Sequence, residues 1–404
     1  MFKKFNTNSI FTVIDFGTNK TVIINYFKDS EEKLKIINWN HKKSVGFNRG
    51  EITDQLKFSK MLNELLSNIK MPKTNEVVVS IADNRTITKR NYVEIDVSGL
   101  SINKKDIRNV VKKNIQLLTT TNWVLLHSFP KQFFIDEKIP ISNPLGKSSK
   151  KIGLKSNNFL IRKNFLKQIK SAFPMSKKIL PTQFIDCGLA SAISCLGPRE
   201  RENGSISIDF GAGSVKIISF YRNNLEMIKY IQLGGNDVTN DIAKILEISY
   251  ERAEYIKTVY GSLNQTHKQN IKIELPNGQQ KNISTIFLHG IIKPRYEEIL
   301  EMTRDNLEDN IFSKITMKSM IFTGGGCEIQ GFESFCSKIF NKKIKIAYPL
   351  SLNSNFKKPE FSTVDGLMKI HEDENLKKVL STKSWNKKQN FFEKVETWVN
   401  ESLA

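Results

Sequence analysis

The chain has 404 residues, and that length predicts two or three domains, each large enough to bury its own hydrophobic core. Hydrophobic residues make up 39% of the sequence and charged residues 25%, a composition that excludes a fully disordered chain and a fibrous repeat. The net charge of +21 favours acidic partners, but lysines are spread along the whole chain. We therefore attribute the excess to a compositional bias and expect no nucleic-acid partner.

The sequence shows no zinc pattern, signal peptide or membrane span. Its four cysteines, at positions 187, 195, 327 and 336, form no Cys-x-x-Cys pair, so we expect reduced thiols. The basic start, Met1–Phe5, is followed by polar residues instead of the apolar core of a signal peptide. No stretch approaches the roughly 18 apolar residues of a membrane span. These features predict a protein that stays inside the cell.

Two β-hairpins with one shared pattern are predicted. In each, a β-branched strand ends in Asp-Phe-Gly, the chain turns within a few residues, and a second strand returns. The hairpins span residues 11–27 and 205–220, and their aspartates, Asp15 and Asp209, lie 194 positions apart. A repeat at this distance predicts a duplicated architecture.

An inserted α+β segment is predicted between the hairpins. Its elements are helices at Lys104–Leu118 and Asn164–Phe173 and strands around Tyr92–Ile95 and Asn158–Ile161. Downstream of the second hairpin, the predicted elements are helices at 237–248 and 250–260, a helix from Lys293 to about Asn310, and a strand at 319–323 that runs into Gly324–Gly326. A third strand therefore ends in a third glycine turn.

The glycine turns carry residue types that bind polyphosphate. Phosphate binding needs close backbone approach, N–H groups aimed at anionic oxygens and a cation, and carboxylates can hold hydrated Mg²⁺. Asp15 and Asp209 are the candidates for holding Mg²⁺ through water. Thr18 and Ser214 offer hydroxyl groups, and Lys20 offers a positive charge. One such hairpin is as often a simple turn, but two copies and a third glycine turn favour a nucleotide site.

These motifs resemble those of the actin-like ATPase superfamily and, within it, the FtsA family of bacterial cell-division proteins. Asp15–Lys20 resembles the first phosphate motif, Asp209–Ser214 the second, and Ile321–Gly326 the adenosine motif. The narrower resemblance rests on segments in FtsA-like order: Asn143–Gly146, Gly188–Ala192, Gly234–Asn236, Thr239–Ala243, Ala253–Lys257 and Pro294–Tyr296.

The resemblance implies an α/β fold of the actin-like class, shared with Hsp70 and sugar kinases, in which two lobes enclose a nucleotide cleft. One lobe is expected from residues 1–86 with a late helix at 361–371. The other is expected from residues 176–360, with 235–312 as its outer subdomain. Residues 87–175 are expected to form the inserted subdomain that distinguishes FtsA from other actin relatives.

The resemblance also implies ATP and Mg²⁺ as ligands and assigns contacts to them. The implied phosphate-binding residues are Asp15, Gly17, Thr18, Asn19, Lys20, Asp209, Gly211, Gly213 and Ser214. The implied adenosine-binding residues are Glu254, Lys257, Gly324, Gly325 and Gly326. For Glu254 and Lys257, an ordinary i,i+3 surface ion pair is an equally good interpretation.

One residue departs from the family pattern. The second phosphate motif of FtsA proteins usually reads Gly-Gly-Gly-Thr with an acidic residue two places on, whereas this chain has Gly-Ala-Gly-Ser followed by Lys216. A charged lysine cannot take a proton from an attacking water. We therefore expect slow or absent ATP turnover.

By the same resemblance, the chain is expected to polymerise at midcell, on the cytoplasmic face of the inner membrane. There it would anchor the ring of the tubulin-like protein FtsZ and recruit later divisome proteins. The FtsZ C-terminal tail is expected on residues 235–312, where Lys293 and Arg295 are predicted to open a helix and pair with tail carboxylates. The alternative for Arg295 is a structural role inside its own subdomain.

Two other functions stay open on the same superfold, a small-molecule kinase and a pilus-assembly adaptor. A kinase has no use for a terminal amphipathic helix, and the segment Asn143–Gly146 favours FtsA over the pilus class.

The C-terminal residues 385–404 predict an amphipathic helix after a polar linker at 372–384. At about 100° per residue, one arc of about 140° holds most of its apolar side chains. The predicted membrane-binding residues are Trp385, Phe391, Phe392, Val395, Trp398, Val399 and Leu403. Packing on the chain's own domain is the alternative, but Phe and Trp favour the interface of an anionic lipid bilayer.

Overall fold

The computed structural model describes residues 10–29, 31, 33–69, 76–136, 139–174, 179–264, 269–274, 278, 280–307, 319–350 and 356–373. The predicted membrane helix 385–404 and the predicted linker beyond residue 373 lie outside these ranges. Within them, no helix is long and apolar enough to cross a membrane.

The first lobe is built on a five-stranded sheet. Three antiparallel strands, β1, β2 and β3, lead the chain, and β6 and β11 extend the sheet in parallel to β1, in the order β11-β6-β1-β2-β3. Its elements are β1 Phe11–Phe16, β2 Lys20–Lys28, β3 Leu34–Lys43, the small pair β4 Phe47–Asn48 and β5 Glu51–Ile52, α1 Gln55–Ser67, β6 Val77–Ile81 and β11 Gln183–Asp186. Phe58, Leu62 and Leu65 of α1 are buried against this sheet.

The inserted segment between β6 and β11 is an α+β unit, as predicted. A second sheet has the order β7-β10-β8-β9, and α2 covers one face. The elements are β7 Ile87–Asp96, α2 Lys104–Leu118, β8 Trp123–Ile135, β9 Ile139–Ile141, β10 Lys151–Arg162 and α3 Lys163–Ser171. Asn103 and Asp106 form a reciprocal capping box, which is why α2 begins where the sequence predicts it.

The second lobe repeats the plan of the first. Its sheet has the order β14-β13-β12-β17-β18, with three antiparallel strands followed by two parallel ones. The elements that follow β11 in the chain, including the two helices between the lobes, are α4 Cys187–Cys195, α5 Pro198–Asn203, β12 Ser205–Phe210, β13 Val215–Tyr221, β14 Asn224–Ile231, α6 Gly235–Leu246, α7 Tyr250–Tyr260, β15 Asn270–Glu274, β16 Gln280–Ser284, α8 Thr285–Asp305, β17 Met320–Thr323, α9 Phe332–Phe340, β18 Lys345–Ile346 and α10 Ser362–Glu372. The predicted duplication is therefore confirmed at the level of whole sheets.

The start of α8 differs from the prediction. We expected a helix from Lys293, whereas α8 begins at Thr285, capped by the Ser284 hydroxyl, which accepts a bond of 3.1 Å from Phe287 N. Proline is common in the first turn of a helix, but Pro294 lies inside α8. Lys293 and Arg295 therefore sit in the middle of α8, and the prediction that they open a helix was wrong.

Two helices cross between the lobes. Each follows the last strand of its own sheet, α4 after β11 and α10 after β18, and both belong to one apolar core with strands of the two lobes. Every residue of α4 is buried. A Cβ added to Gly366 of α10 would lie 1.8 Å from the carbonyl oxygen of Ala190 of α4, so the two backbones touch. This crossing fixes how the two sheets, and hence the two glycine hairpins, face each other.

Candidate functional site

The tips of the two duplicated hairpins meet in one cleft of about 770 Å³. Both tips close in the same way, because the N–H of Gly17 donates to the carbonyl of Lys20 and that of Gly211 to the carbonyl of Ser214, each at 3.1 Å. A Cβ on Gly213 would lie 2.3 Å from the hydroxyl oxygen of Thr18. The two turns that were predicted from separate parts of the sequence are therefore in direct contact.

The third glycine turn stacks on the second hairpin. Gly324 has a φ of +89°, and a Cβ there would lie 2.3 Å from Asp209 Oδ1. A Cβ on Gly326 would lie 2.1 Å from the ring of Phe210. Glycine is needed at both positions because the backbone approaches the hairpin too closely for any side chain. All three turns line the cleft together.

Glu254 and Lys257 lie on α7 and line the same cleft. They also form the ion pair of the alternative interpretation, with 2.6 Å between Lys257 Nζ and Glu254 Oε2. The Lys257 ammonium donates further to the carbonyl of Gly235, at 3.0 Å, and to the Thr239 hydroxyl, at 2.7 Å. Burial lowers the pKa of Lys257, against the charge of Glu254. Glu254 and Lys257 can therefore pair with each other and still line a nucleotide site, so the ion pair and the predicted adenosine contact are compatible.

Lys20, predicted as a phosphate-binding cation, already has a carboxylate partner. Its Nζ lies 2.6 Å from Glu360 Oε2 and 4.4 Å from the centre of the Phe361 ring. Asn19 lies beside it on the wall of the cleft, and its carbonyl accepts a bond from the N–H of Ser44. A phosphate bound by Lys20 would therefore have to share its ammonium with Glu360 or displace that carboxylate.

Asp15 and Asp209 end β1 and β12 at equivalent places but have different neighbours. Asp15 pairs across its hairpin with Val22, and the Ser80 hydroxyl donates to Asp15 Oδ1 at 2.7 Å. Asp209 pairs across its hairpin with Lys216, whose Nζ lies 3.1 Å from Asp209 Oδ2. The same hairpin position is apolar in one lobe and cationic in the other.

The electrostatics of this site follow from burial and from the Lys216 charge. Burial raises the pKa of Asp15, against the bond from Ser80 and the nearby lysine. Burial opposes the charge on Lys216, but the carboxylates of Asp209 and Asp15 outweigh it and leave the pKa of Lys216 above its usual value. Lys216 therefore stays charged at the floor of the cleft.

The residues fit a nucleotide better than they fit a divalent cation. Three glycine turns leave room for phosphates, and the cleft is of the size that small ligands occupy. Among the described residues, no group of three or more His, Cys, Asp or Glu side chains is arranged to hold a metal. Asp209, one of the two candidates for Mg²⁺ through water, already binds an ammonium.

Three acidic residues at or next to the cleft were not among the predicted site residues: Asp186, Glu328 and Glu360. Glu328 and Glu360 line the cleft, and burial together with the charge of Glu360 raises the pKa of Glu328. Asp186 ends β11 just before Gly188, a strand-Asp-x-Gly pattern like those of Asp15 and Asp209, and this signal could have identified it. It accepts bonds from the N–H of Leu189 at 2.9 Å and from the Tyr230 hydroxyl at 2.6 Å.

Asp186 predicts a pH dependence of stability. Burial raises its pKa from 3.8 to about 6, against the bonds from Tyr230 and Leu189. A carboxyl group whose pKa is raised by folding stabilises the folded state while it is protonated, and this contribution is lost as the pH rises from about 4 to about 6. Asp186→Asn should remove that loss. We expect the stability of the variant relative to wild type to increase by on the order of 2 kcal/mol between pH 4 and pH 7. Urea denaturation at both pH values measures the difference, and a constant difference would contradict the prediction.

The predicted partner residues Lys293 and Arg295 do not line the cleft. Lys293 is exposed on α8. Arg295 binds Asp241, with 2.6 Å between Nε and Oδ2, and also pairs with Glu298 one turn along the helix. The structural alternative for Arg295, a partner within its own subdomain, is thus the contact observed.

Two family models match the chain. The model of the cell division protein FtsA matches residues 206–366, and the model of the SHS2 domain inserted in FtsA matches residues 83–158. The second match covers most of the described α+β insert.

Full-length relatives and solved structures agree with these matches. The cell division protein FtsA of Buchnera aphidicola subsp. Schizaphis graminum is 27% identical over 95% of this chain and 96% of its own length. FtsA of Escherichia coli K12 is 24% identical over 90% of each chain. A chain of the PilM-PilN type IV pilus biogenesis complex has a TM-score of 0.62 at 14% identity, covering 89% of this chain and 98% of that chain. MreB5 of Spiroplasma citri bound to ADP has a TM-score of 0.56 at 14% identity, covering 91% and 97%. The fold is therefore actin-like, and with both FtsA models and FtsA relatives matching along its length, the chain belongs to the FtsA family of cell-division proteins.

Proposed function

We propose that the chain binds ATP in the cleft between its lobes and that the nucleotide acts as a structural ligand that favours polymerisation. The observation that carries the proposal is the contact between the two hairpin tips, because a nucleotide bound there touches both lobes at once. The solved MreB5 structure with ADP supports the same use of this fold. Turnover is slow in this proposal, since Lys216 stands where the family usually has an acidic residue.

The proposed cellular role follows from membership of the FtsA family. The chain acts at midcell on the cytoplasmic face of the inner membrane, where its polymer anchors the FtsZ ring. Residues 385–404 supply the membrane contact, residues 235–312 bind the C-terminal tail of FtsZ, and residues 87–175 recruit later divisome proteins. A single interfacial helix binds lipid reversibly, so a polymer that presents many copies binds more strongly.

Flotation with liposomes that contain anionic lipid tests this role. The full chain, purified FtsZ and ATP are mixed with the vesicles and separated on a density gradient. The proposal expects FtsZ to float only when the chain is present, and expects more of the chain to float with ATP than without it. FtsZ that stays at the bottom of the gradient with the chain floating would reject the anchoring role.

A charge reversal at Lys293 tests the proposed FtsZ contact separately from stability. Lys293 is exposed, so Lys293→Glu should leave the thermal midpoint unchanged while weakening binding of an FtsZ tail peptide by about threefold, the effect of one surface ion pair. Arg295→Glu should instead destabilise the fold by roughly 1–2 kcal/mol, because it adds a third carboxylate beside Asp241 and Glu298.

Lys281→Glu, an exposed change on β16 in the same subdomain, is the control for net charge. Fluorescence anisotropy of the labelled peptide and thermal melting give the two readouts. Tail binding that is equally weak in Lys293→Glu and Lys281→Glu would remove the specific contact.

A further inference from the structure

A lysine occupies the position in the second hairpin where the first hairpin has a valine. Val22 and Lys216 lie 194 positions apart, the same spacing as Asp15 and Asp209, and each faces its aspartate across the hairpin. Val22 is 2% exposed and packs in the core. Lys216 instead extends its side chain along the floor of the cleft. Of the two duplicated hairpins, only the second therefore has a cation at this position.

The Lys216 ammonium lies beside the glycine turn of the second hairpin. A Cβ on Gly211 would lie only 2.9 Å from Lys216 Nζ, so the ammonium is adjacent to this turn, and both line the cleft. The side chain of Lys216 is 13% exposed and that of Asp209 5%. Across the described chain, the single hydrogen bond that this ammonium makes goes to Asp209, at 3.1 Å. An ammonium has three N–H donors, so two remain for a ligand in the cleft.

We propose that Lys216 supplies the positive charge for the phosphates in this cleft, so that the chain binds ATP without a divalent cation. The inference rests on the proposed nucleotide binding. A metal at Asp209 would have to displace Lys216 or lie next to it, and two cations side by side in a buried place repel each other. The ammonium can instead keep Asp209 as its partner and donate charge-assisted hydrogen bonds to phosphate oxygens.

The test is the affinity for ATP measured by calorimetry in excess EDTA and again with Mg²⁺. The wild-type chain should bind ATP in EDTA, with a dissociation constant that changes by less than about threefold when Mg²⁺ is added. Lys216→Met keeps the length of the side chain and removes its charge. This variant should bind ATP at least about tenfold more weakly in EDTA, the effect of one charged hydrogen bond, and should regain affinity with Mg²⁺, because Asp209 is then open to the metal.

Two further variants keep the test independent of folding. Lys216→Arg keeps the charge and should keep the binding in EDTA. Lys131 forms an ion pair with the buried carboxylate of Glu226, and this pair lies outside the cleft. Lys131→Met removes the charge of that lysine and should leave the ATP affinity unchanged, both in EDTA and with Mg²⁺.

Wild-type binding that requires Mg²⁺ would overturn the inference and leave the proposed function intact. Lys216→Met binding as tightly as wild type in EDTA would also overturn it. Absence of ATP binding under both conditions would instead reject the proposed nucleotide function itself.

Discussion

Gly366→Ala should lower the free energy of unfolding by about 3 kcal/mol, although alanine is the better helix former. The added Cβ would lie 1.8 Å from the Ala190 carbonyl oxygen and 2.4 Å from its carbonyl carbon. Both contacts are with backbone inside α4, where every residue is buried, so no side chain can move aside. The helices would have to separate and leave gaps in the core that both lobes share.

Gly290→Ala is the matched control for this prediction. Gly290 lies inside α8 and is exposed, and a Cβ there would have no atom within 4 Å. That change should raise stability by about 0.5–1 kcal/mol through helix propensity alone. Urea denaturation of the full chain, followed by circular dichroism, compares the two variants. If Gly366→Ala stabilised the chain as Gly290→Ala is expected to do, the close crossing of α4 and α10 would be contradicted.

The crossing also links stability to the proposed nucleotide site. α4 begins at Asp186 and Cys187, next to the floor of the cleft, and α10 begins just after Glu360, the partner of Lys20. A change in the angle between these helices would move the two hairpin tips apart. The Gly366→Ala variant should therefore lose ATP affinity even under conditions where it is still folded.

The sequence was sufficient to predict the features that are local. Each glycine hairpin is encoded within about 16 consecutive residues by a β-branched run, an aspartate and a tight turn, and both hairpins form as predicted. The bounds of helix α2 were predicted to the residue from its apolar periodicity, and the capping box of Asn103 and Asp106 explains why the helix starts there. The predicted start of α8 at Lys293 was wrong, because the helix begins eight residues earlier, at Thr285, where Ser284 caps it.

The site itself depends on contacts that no local pattern encodes. Lys20 was assigned to phosphate because it lies on a hairpin tip, but its partner Glu360 is 340 positions away. The contact between Thr18 and Gly213 joins two turns that the sequence shows only as similar. By contrast, the bond from Lys216 to Asp209 lies within one predicted hairpin, so this contact follows from the local pairing of β12 with β13.

Trp398→Glu should release the chain from anionic liposomes by at least about tenfold, because a charge would replace a large apolar side chain at the lipid interface. On the predicted helix 385–404, Trp398 lies within about 20° of Phe391, near one edge of the arc of about 140° that also holds Val395. Lysines and glutamates in this segment are equal in number, so apolar insertion has to supply most of the binding.

The control is Thr397→Glu, which adds the same charge at the neighbouring position on the polar side of the predicted helix. It should float with liposomes nearly as wild type does, apart from a small loss through repulsion from anionic lipid. Deletion of 385–404 should abolish flotation while the thermal midpoint of the two lobes is unchanged.

Because one interfacial helix binds weakly, the difference between Trp398→Glu and Thr397→Glu should be largest for the unpolymerised chain and smaller where polymers present many helices together. If the truncated chain floated as the full chain does, the membrane contact would lie elsewhere. Equal release of the Trp398→Glu and Thr397→Glu variants would show that charge alone, without a defined apolar face, governs lipid binding.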